Sequence, residues 1–349
     1  MSDPFGGLDN FLKDLLIGFG LDSTFVAVVL KVLGAAVLGG LAGATAILLI
    51  WAERKLVARI QDRLGPNRVG PFGLLQTIAD ALKLLTKEVL IPAGADRLLF
   101  QMAPLLVVAS VIGVWAVMPL APGLIGSDVN VGLLYIISVG SIGILGIMMA
   151  GLSSNNKYAL LGAFRTVAQM VSFAVPLIFS LLVPTLLAGS MGMADIVEAQ
   201  GGLWFIFLAP LAALIFFVSS IAEVGRAPFD LMEAESEIVA GFHIEYSGMA
   251  FGMFFVVIWI RGTFPRIRID QMNAFNWKFV TPLSLVVLMV TAVVDKLAME
   301  QGWPRLPVHL TANLLIVIGT LVILRAQASS ARRRFEVAPE APVTRPEVA

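Results

Sequence analysis

The feature that most constrains this chain is a series of apolar runs along its length. Each run is about as long as a helix that crosses a lipid bilayer. A helix needs about 20 such residues to cross the hydrocarbon core. Because the runs are continuous and do not alternate with polar residues, a β-barrel is excluded. The sequence therefore predicts an all-α polytopic membrane helix bundle with about seven full crossings, at Phe25–Trp51, Leu98–Leu120, Val131–Leu152, Leu161–Leu187, Leu203–Ile221, Phe279–Val294 and Leu310–Leu324.

The distribution of basic residues predicts the orientation of the bundle. The segment Glu53–Arg97 carries eight lysines and arginines, whereas Pro119–Asn130 and Ala188–Gly202 carry none. Cytoplasmic loops of membrane proteins are enriched in these residues. We therefore expect a multi-pass protein of the cell inner (plasma) membrane with its N-terminus outside. We expect residues 1–330 to form one membrane domain and residues 331–349 a disordered cytoplasmic tail, rich in Pro, Glu and Val after a basic start.

Composition limits the chemistry that the chain can carry alone. Cysteine is absent, histidine occurs twice and the net charge is zero. Iron–sulfur clusters require thiolates, and zinc and haem sites require ligand sets that this chain does not offer. The balanced charge gives no reason to expect a nucleic-acid partner. If the protein takes part in redox work, other subunits carry the electrons.

A basic, amphipathic region follows the first crossing. It spans Trp51–Glu88 and contains two Gly-Pro pairs that indicate a loop. After the loop, apolar residues recur at helical spacing: Leu74, Leu75, Ile78, Leu82 and Leu85. This pattern predicts an amphipathic helix lying in the plane of the membrane interface. The alternative is a simple juxtamembrane basic loop.

One apolar segment, Tyr246–Ile260, is too short for a crossing. Its fifteen residues would make a helix of roughly 22 Å, against a hydrocarbon core of about 30 Å. Since both of its flanks are expected to be cytoplasmic, we expect a re-entrant or interfacial segment.

Carboxylates are concentrated in the segment Ala222–Gly248, directly after an apolar run. Acidic and apolar residues alternate there, and Glu233 and Glu237 would share one face of a helix. Like charges packed in a dry site raise some of their pKa values and titrate as a group. The six acids are therefore a candidate proton relay, with a solvated loop as the alternative: Glu223, Asp230, Glu233, Glu235, Glu237 and Glu245.

Four stretches together resemble one known family. They are ERKLVARIQDRLGPNRVGPFGLLQTIADALKLLTKE, AFRTVAQMVSF, AEVGRAPFDLMEAESEIVAGFHIEYSGM and WIRGTFPRIRIDQ. In these stretches the chain resembles the H subunit of respiratory complex I, the proton-pumping NADH:quinone oxidoreductase. The resemblance extends from Trp51 to about Leu288.

The resemblance implies a role as a translocase subunit that binds a quinone such as ubiquinone. The first cytoplasmic loop and the acidic segment would form a headgroup chamber with the peripheral arm, and the six acids would couple quinone reduction to proton movement. The resemblance implies no cofactor on this chain, with flavin and iron–sulfur clusters in partner subunits. Peripheral-arm quinone-site subunits, small membrane subunits and the lipid bilayer are the expected partners. The implied chamber lining is Glu53, Arg54, Arg63, Asp80, Lys83, Arg226, Phe229, Arg261 and Arg266.

The chain departs from the family pattern at two positions. Ala174 and Ile258 stand where the family usually has glutamates, and Tyr246–Ile260 is shorter than the usual segment. These departures leave open a structural anchor that has lost proton coupling. A membrane anchor of an energy-converting hydrogenase, which shares the acidic loop without a quinone, is a further alternative.

Overall fold

The computed structural model describes residues 13, 17, 22–121, 125–225, 229, 241–257 and 269–337 of the chain. The described residues form helices, turns and loops, with no β-strand among them. The helices are α1 Ser23–Ile60, α2 Gln76–Thr86, α3 Arg97–Trp115, α4 Gly132–Ser153, α5 Lys157–Ala188, α6 Met193–Glu198, α7 Phe205–Leu208, α8 Pro210–Glu223, α9 Gly248–Val257, α10 Ile269–Phe275, α11 Thr281–Gln301 and α12 Arg305–Val337.

Six stretches of helix in the described part of the chain are long and apolar enough to cross a membrane. They lie in α1, α3, α4, α5, the continuous stretch Gln271–Gln301 and the first part of α12, Arg305–Ala326. Their outer faces are covered with exposed leucine, valine and phenylalanine side chains. A water-soluble domain does not expose apolar patches of this size. The prediction of a polytopic helical membrane bundle is confirmed.

The remaining predicted crossing, Leu203–Ile221, is not a single helix. It is broken at Ala209 into α7 and α8, where Ala209 has φ −129° and ψ 63°. Pro210 begins α8, and proline cannot supply the amide proton that would continue the helix. The Nδ2 of Asn313 on α12 donates a hydrogen bond of 3.2 Å to the carbonyl of Leu208 at the break. A neighbouring helix thus satisfies a backbone group that the break releases.

Two other element bounds differ from expectation. α3 ends at Trp115, before Pro119, so it is shorter than Leu98–Leu120. α12 continues to Val337, seven residues into the predicted disordered tail. The basic stretch that begins at Ala331 consists mostly of good helix formers, and it extends an existing helix without a new nucleation step. Residues 338–349 lie outside the described part.

The bundle is built around α5. This helix packs against α4 on one side and against α8 and α11 on the other, while α3 and α4 form a closely packed pair. Small residues allow the close approaches. A Cβ at Gly146 of α4 would lie 2.6 Å from the Val107 side chain, and a Cβ at Gly162 of α5 would lie 2.7 Å from the backbone of Gly241. The second contact brings the end of the acidic segment directly against α5.

Candidate functional site

The amphipathic helix α2 is fixed to the end of α1 by polar contacts. The Nη1 atom of Arg54 lies 2.5 Å from the Oδ2 atom of Asp80. The other carboxylate oxygen of Asp80 accepts a hydrogen bond of 3.0 Å from Gln76 Nε2, and Trp51 Nε1 donates to the carbonyl of Phe72 at 3.1 Å. Leu82 and Leu85 are exposed on the opposite side, where an interfacial helix would meet lipid. The predicted amphipathic helix is confirmed.

The other predicted lining residues of this region are less enclosed. Glu53 is half-buried, whereas Arg63 and Lys83 are exposed. The Nε of Arg63 donates a hydrogen bond of 2.8 Å to Gln61 Oε1, within its own loop. The structure therefore brings Arg54 and Asp80 together and leaves Arg63 and Lys83 on the surface.

The loop between α1 and α2 adopts a tight conformation that only glycine fits at one position. Gly73 has φ 77°, and a Cβ there would lie 2.2 Å from the carbonyl oxygen of Pro66. The preceding Phe72 is also left-handed, with φ 54°, and its side chain is 77% exposed. Non-glycine residues in this region store backbone strain, which clusters at functional sites. Phe72 is not among the predicted site residues, and the adjacent Gly70-Pro71 pair is the local sequence signal of this turn.

A buried glutamine holds the start of the acidic segment. The Nε2 atom of Gln169 on α5 donates to the carbonyl of Ala222 at 2.7 Å and to the carbonyl of Phe229 at 2.8 Å. Gln169 has no exposed surface and Phe229 is buried, with its ring 5.2 Å from that of Phe173. Gln169 was not predicted as a site residue, because nothing in its local sequence indicates a contact 60 residues away.

The adjacent Glu223 lies two residues beyond the apolar run that ends at Ile221. It is outside the six long helices, and burial raises its pKa above the ordinary value of 4.5. The physical cause is desolvation, which disfavours the charged carboxylate. The remaining predicted residues of this region, Asp230, Glu233, Glu235, Glu237, Arg226, Arg261 and Arg266, lie outside the described residues.

The other end of the acidic segment is bound to the turn between α4 and α5. The Nδ2 atom of Asn156 donates a hydrogen bond of 2.7 Å to Glu245 Oε1. The Oδ1 atom of Asn156 accepts from the amide of Tyr158 at 2.9 Å and so caps α5. One asparagine thus fixes both the helix start and Glu245. Glu245 also borders a cavity of about 450 Å³, together with Pro92, Gly94, Ser154, Asn155, Asn156 and Lys157.

The residues after Glu245 connect the acidic segment to the loop that follows α2. Ser247 Oγ accepts from the amide of Leu90 at 2.9 Å and donates to the carbonyl of Glu88 at 3.3 Å. The hydroxyl of Tyr246 donates to the carbonyl of Phe100 at 3.2 Å, and the two rings stack with centroids 3.9 Å apart. These contacts place the short helix α9 against α2 and α3. Within Tyr246–Ile260, the described residues include a ten-residue helix, Gly248–Val257, too short to cross a bilayer by itself; residues 258–260 lie outside the described part.

His243 is buried beside these aromatic residues. Burial lowers its pKa from 6.5 to about 4, because the charged imidazolium is costly to desolvate. Burial likewise raises the pKa of Tyr246 to about 12, although its hydrogen bond with Ser153 acts in the opposite direction. Both side chains are therefore neutral near pH 7.

Comparison with known proteins supports the family resemblance. A family model described as NADH dehydrogenase matches residues 32–257 and 253–292. Three similar proteins are each named as the H subunit of an NADH-quinone oxidoreductase, with a numeral added in the third. The protein of Dehalococcoides mccartyi is 46% identical, covering 73% of this chain and 84% of its own length. That of Geobacillus kaustophilus is 43% identical, covering 81% and 95%, and that of Geobacter metallireducens is 45% identical, covering 70% and 89%.

The extent of these matches and the multi-pass helical architecture lead to one assignment. The chain belongs to the family of the H subunit of NADH-quinone oxidoreductase, a membrane subunit of complex I.

Proposed function

We propose that this chain forms the membrane side of a quinone headgroup chamber and relays protons when the quinone is reduced. The observation that carries the proposal is the contact of Ser247 with Glu88 and Leu90. It joins the end of the acidic segment to the residues that follow α2. The end of the basic first loop and the end of the acidic segment are therefore neighbours, and a headgroup bound near them could meet charges of both signs.

The polar residues on this face fit the chemistry of a quinone. The carbonyl oxygens of a quinone accept hydrogen bonds, and its reduction takes up protons together with electrons. The guanidinium of Arg54, oriented by Asp80, is a suitable donor. Glu223 is suited to deliver a proton, because burial keeps its pKa above the usual carboxylate value. The apolar walls of the bundle suit an isoprenoid tail.

The electrons would come from partner subunits. We propose that a peripheral arm with flavin and iron–sulfur clusters covers the face formed by α2 and the acidic segment, and that small membrane subunits flank the bundle. In this arrangement the basic segment Glu53–Arg97 is cytoplasmic and the N-terminus lies outside.

Single-cysteine labelling tests this orientation, because the chain has no native cysteine. Labels at Ser127 and Ser190 should react only from the outside of sealed cells. Reaction from the inside alone at either position would contradict the orientation.

Glu223→Gln tests the proton relay, because glutamine preserves the shape and fixes the neutral form. We expect the assembled complex in vesicles to lose quinone reduction and proton translocation, while NADH oxidation by an artificial acceptor continues. Glu336→Gln in the tail is the matched control and should change nothing. If both variants behave alike, the acidic segment is not the relay. If the wild-type complex reduces quinone without moving protons, the chain is a structural anchor.

A further inference from the structure

Three ionisable side chains join the end of α11 to the start of α12. Asp295 of α11 and His309 of α12 are both buried, with 7% and 1% of their surface exposed. The Nε2 atom of His309 lies 3.2 Å from Oδ1 of Asp295, and the Nε atom of Arg305 lies 3.3 Å from the same oxygen. We refer to Asp295, Arg305 and His309 as the α11–α12 cluster.

This cluster lies at the opposite end of the bundle from the acidic segment. The Nδ2 atom of Asn313, one turn after His309, donates to the carbonyl of His309 and to that of Leu208, just before the start of α8. From there α8 runs for 14 residues, from Pro210 to Glu223, which is roughly 21 Å of helix. The length of α8 therefore separates the cluster from Glu223, and in the proposed orientation the cluster is on the outer side of the membrane.

The family assignment gives this cluster no role. The family model matches residues up to 292, so Asp295 and the whole of α12 lie beyond the match. Ionisable residues at membrane depth are rare and usually functional. None of the three residues takes part in the proposed quinone chemistry.

One carboxylate oxygen is shared by two donors of different kinds. An arginine is charged at every physiological pH, whereas an imidazole changes its charge between about pH 5 and pH 8. While the imidazole of His309 is neutral, the charges of Asp295 and Arg305 balance. Once it is protonated, two cations compete for one carboxylate, and a surplus positive charge in apolar surroundings is costly.

The two cations differ in their access to water. The side chain of Arg305 is 41% exposed, and it stands at the first position of α12, where it can turn into solvent. His309 has almost no exposed surface, so its charge can be compensated only by Asp295. A protonated His309 would therefore keep the carboxylate, and Arg305 would leave it.

Other charged groups on the helices that pack against α12 have little influence on this exchange. These helices are α11, α7 and α8. Lys296 and Glu300 of α11 are exposed, so water and salt screen their charges. α7 has no charged residue, and α8 has only Glu223, at its far end. The response of the cluster to pH therefore depends on its own three members.

We propose that the α11–α12 cluster is a switch that responds to the pH outside the membrane. At neutral pH, Asp295 pairs with Arg305 and holds the turn Gln301–Arg305 closed. On acidification, His309 takes up a proton from the outer water and binds the carboxylate, Arg305 moves into solvent, and the turn opens. Proton translocation to the outer side would cause such an acidification. The inference rests on the proposed orientation, but it does not require the proposed proton relay.

The first experiment tests the exchange of partners through thermal inactivation of quinone reduction in the assembled, detergent-solubilised complex. It compares about pH 8 with about pH 5.5, within the range in which an imidazole changes its charge. Arg305→Gln should lower the midpoint more at the higher pH, where Arg305 holds Asp295. His309→Gln should lower it more at the lower pH, where the charged imidazole does so. Lys296→Gln is the matched control, because Lys296 is exposed beside Asp295, and its effect should be the same at both pH values.

The second experiment detects the opening of the turn. Ala298 lies one turn after Asp295 and is buried, and its carbonyl accepts a hydrogen bond of 3.0 Å from the amide of Trp303 in the turn. In intact cells, the thiol of Ala298→Cys should be protected from a membrane-impermeant maleimide at the higher pH and should react at the lower one. Rates are taken relative to Ser127→Cys, an exposed site that corrects for slower thiol chemistry in acid. Adding His309→Gln should keep the thiol protected at both pH values.

Each contrary result overturns a defined part of the proposal. If the losses caused by Arg305→Gln and His309→Gln do not depend on pH in opposite directions, Asp295 does not exchange partners. If the thiol at position 298 is protected at both pH values, the turn stays closed and there is no switch. If the thiol reacts only from the inside, in inverted vesicles, the outer location and the proposed orientation are wrong. Neither experiment measures proton translocation, so a failure of the proposed relay would be seen separately.

Discussion

Gln169 makes the sharpest prediction about how the acidic segment is held. Its Nε2 atom donates to the carbonyls of Ala222 and Phe229 at 2.7 and 2.8 Å, and the side chain has no contact with solvent. Gln169→Leu keeps a similar volume but cannot donate. The carbonyl of Ala222 would keep its hydrogen bond from the amide of Gly225, at 3.1 Å, but the buried carbonyl of Phe229 would lose the donor that holds it. The variant should therefore be destabilised by about 1–3 kcal/mol.

The assay is thermal inactivation of quinone reduction in the assembled, detergent-solubilised complex. We expect the midpoint to fall clearly for Gln169→Leu. Gln271→Leu is the matched control, because Gln271 is exposed, and exposed substitutions usually change stability by no more than about 0.5 kcal/mol. Gln169→Glu adds a second test. A protonated carboxyl group has one O–H and can donate to one of the two carbonyls, whereas the ionised form cannot donate. Its defect should therefore become smaller as the pH falls.

Equal midpoints for Gln169→Leu and Gln271→Leu would refute this reasoning. They would mean that the carbonyl of Phe229 finds another partner and that Gln169 does not hold the acidic segment. A Gln169→Glu defect that did not change with pH would likewise show that hydrogen-bond donation at this position is unimportant.

Three further predictions concern the first loop and the buried histidine. Arg54→Ala should raise the KM for quinone and leave NADH oxidation by an artificial acceptor intact. Arg63→Ala should have a smaller effect, because Arg63 is exposed. Equal loss of quinone reduction and of NADH oxidation by the artificial acceptor would indicate an assembly defect instead. Gly73→Ala should abolish quinone reduction, because a left-handed alanine costs about 1–2 kcal/mol and its Cβ would also lie 2.2 Å from the Pro66 carbonyl; wild-type turnover would contradict this loop geometry. In the folded protein the pKa of His243 is about 4, below its ordinary value of 6.5. As the pH falls, the unfolded chain therefore binds the proton first. The contribution of the neutral His243 to stability is thus present above pH 6.5 and is lost between pH 6.5 and pH 4. Denaturation of His243→Gln should show a flatter pH profile in that window, and an unchanged profile would exclude His243 as the cause.

Much of the fold could be predicted because its signals are local. The length of an apolar run is a property of one segment, and the bilayer restricts such a segment to a helix. The amphipathic helix Gln76–Thr86 could likewise be predicted from the spacing of its leucines. Where the bounds differ, the cause is also local: Pro210 interrupts the fifth crossing, and good helix formers extend α12 beyond residue 331.

The candidate site was only partly predictable, because its arrangement depends on residues far apart in the sequence. The charged residues Arg54, Asp80, Glu223 and Glu245 could be named from composition and family resemblance. Their hydrogen-bond partners could not be predicted in this way. Asn156 and Glu245 are 89 positions apart in the sequence, and Gln169 and Phe229 are 60 positions apart. An asparagine or glutamine in an apolar run carries no local sign of which carbonyl or carboxylate it will meet. The sequence alone thus determined the membrane class, the number of apolar segments and the charged residues, since these follow from hydrophobic length and residue type. Only the packing of α5 against α4, α8 and α11 decided which distant polar groups are paired, because hydrogen bonds between distant segments form only once those segments are in contact.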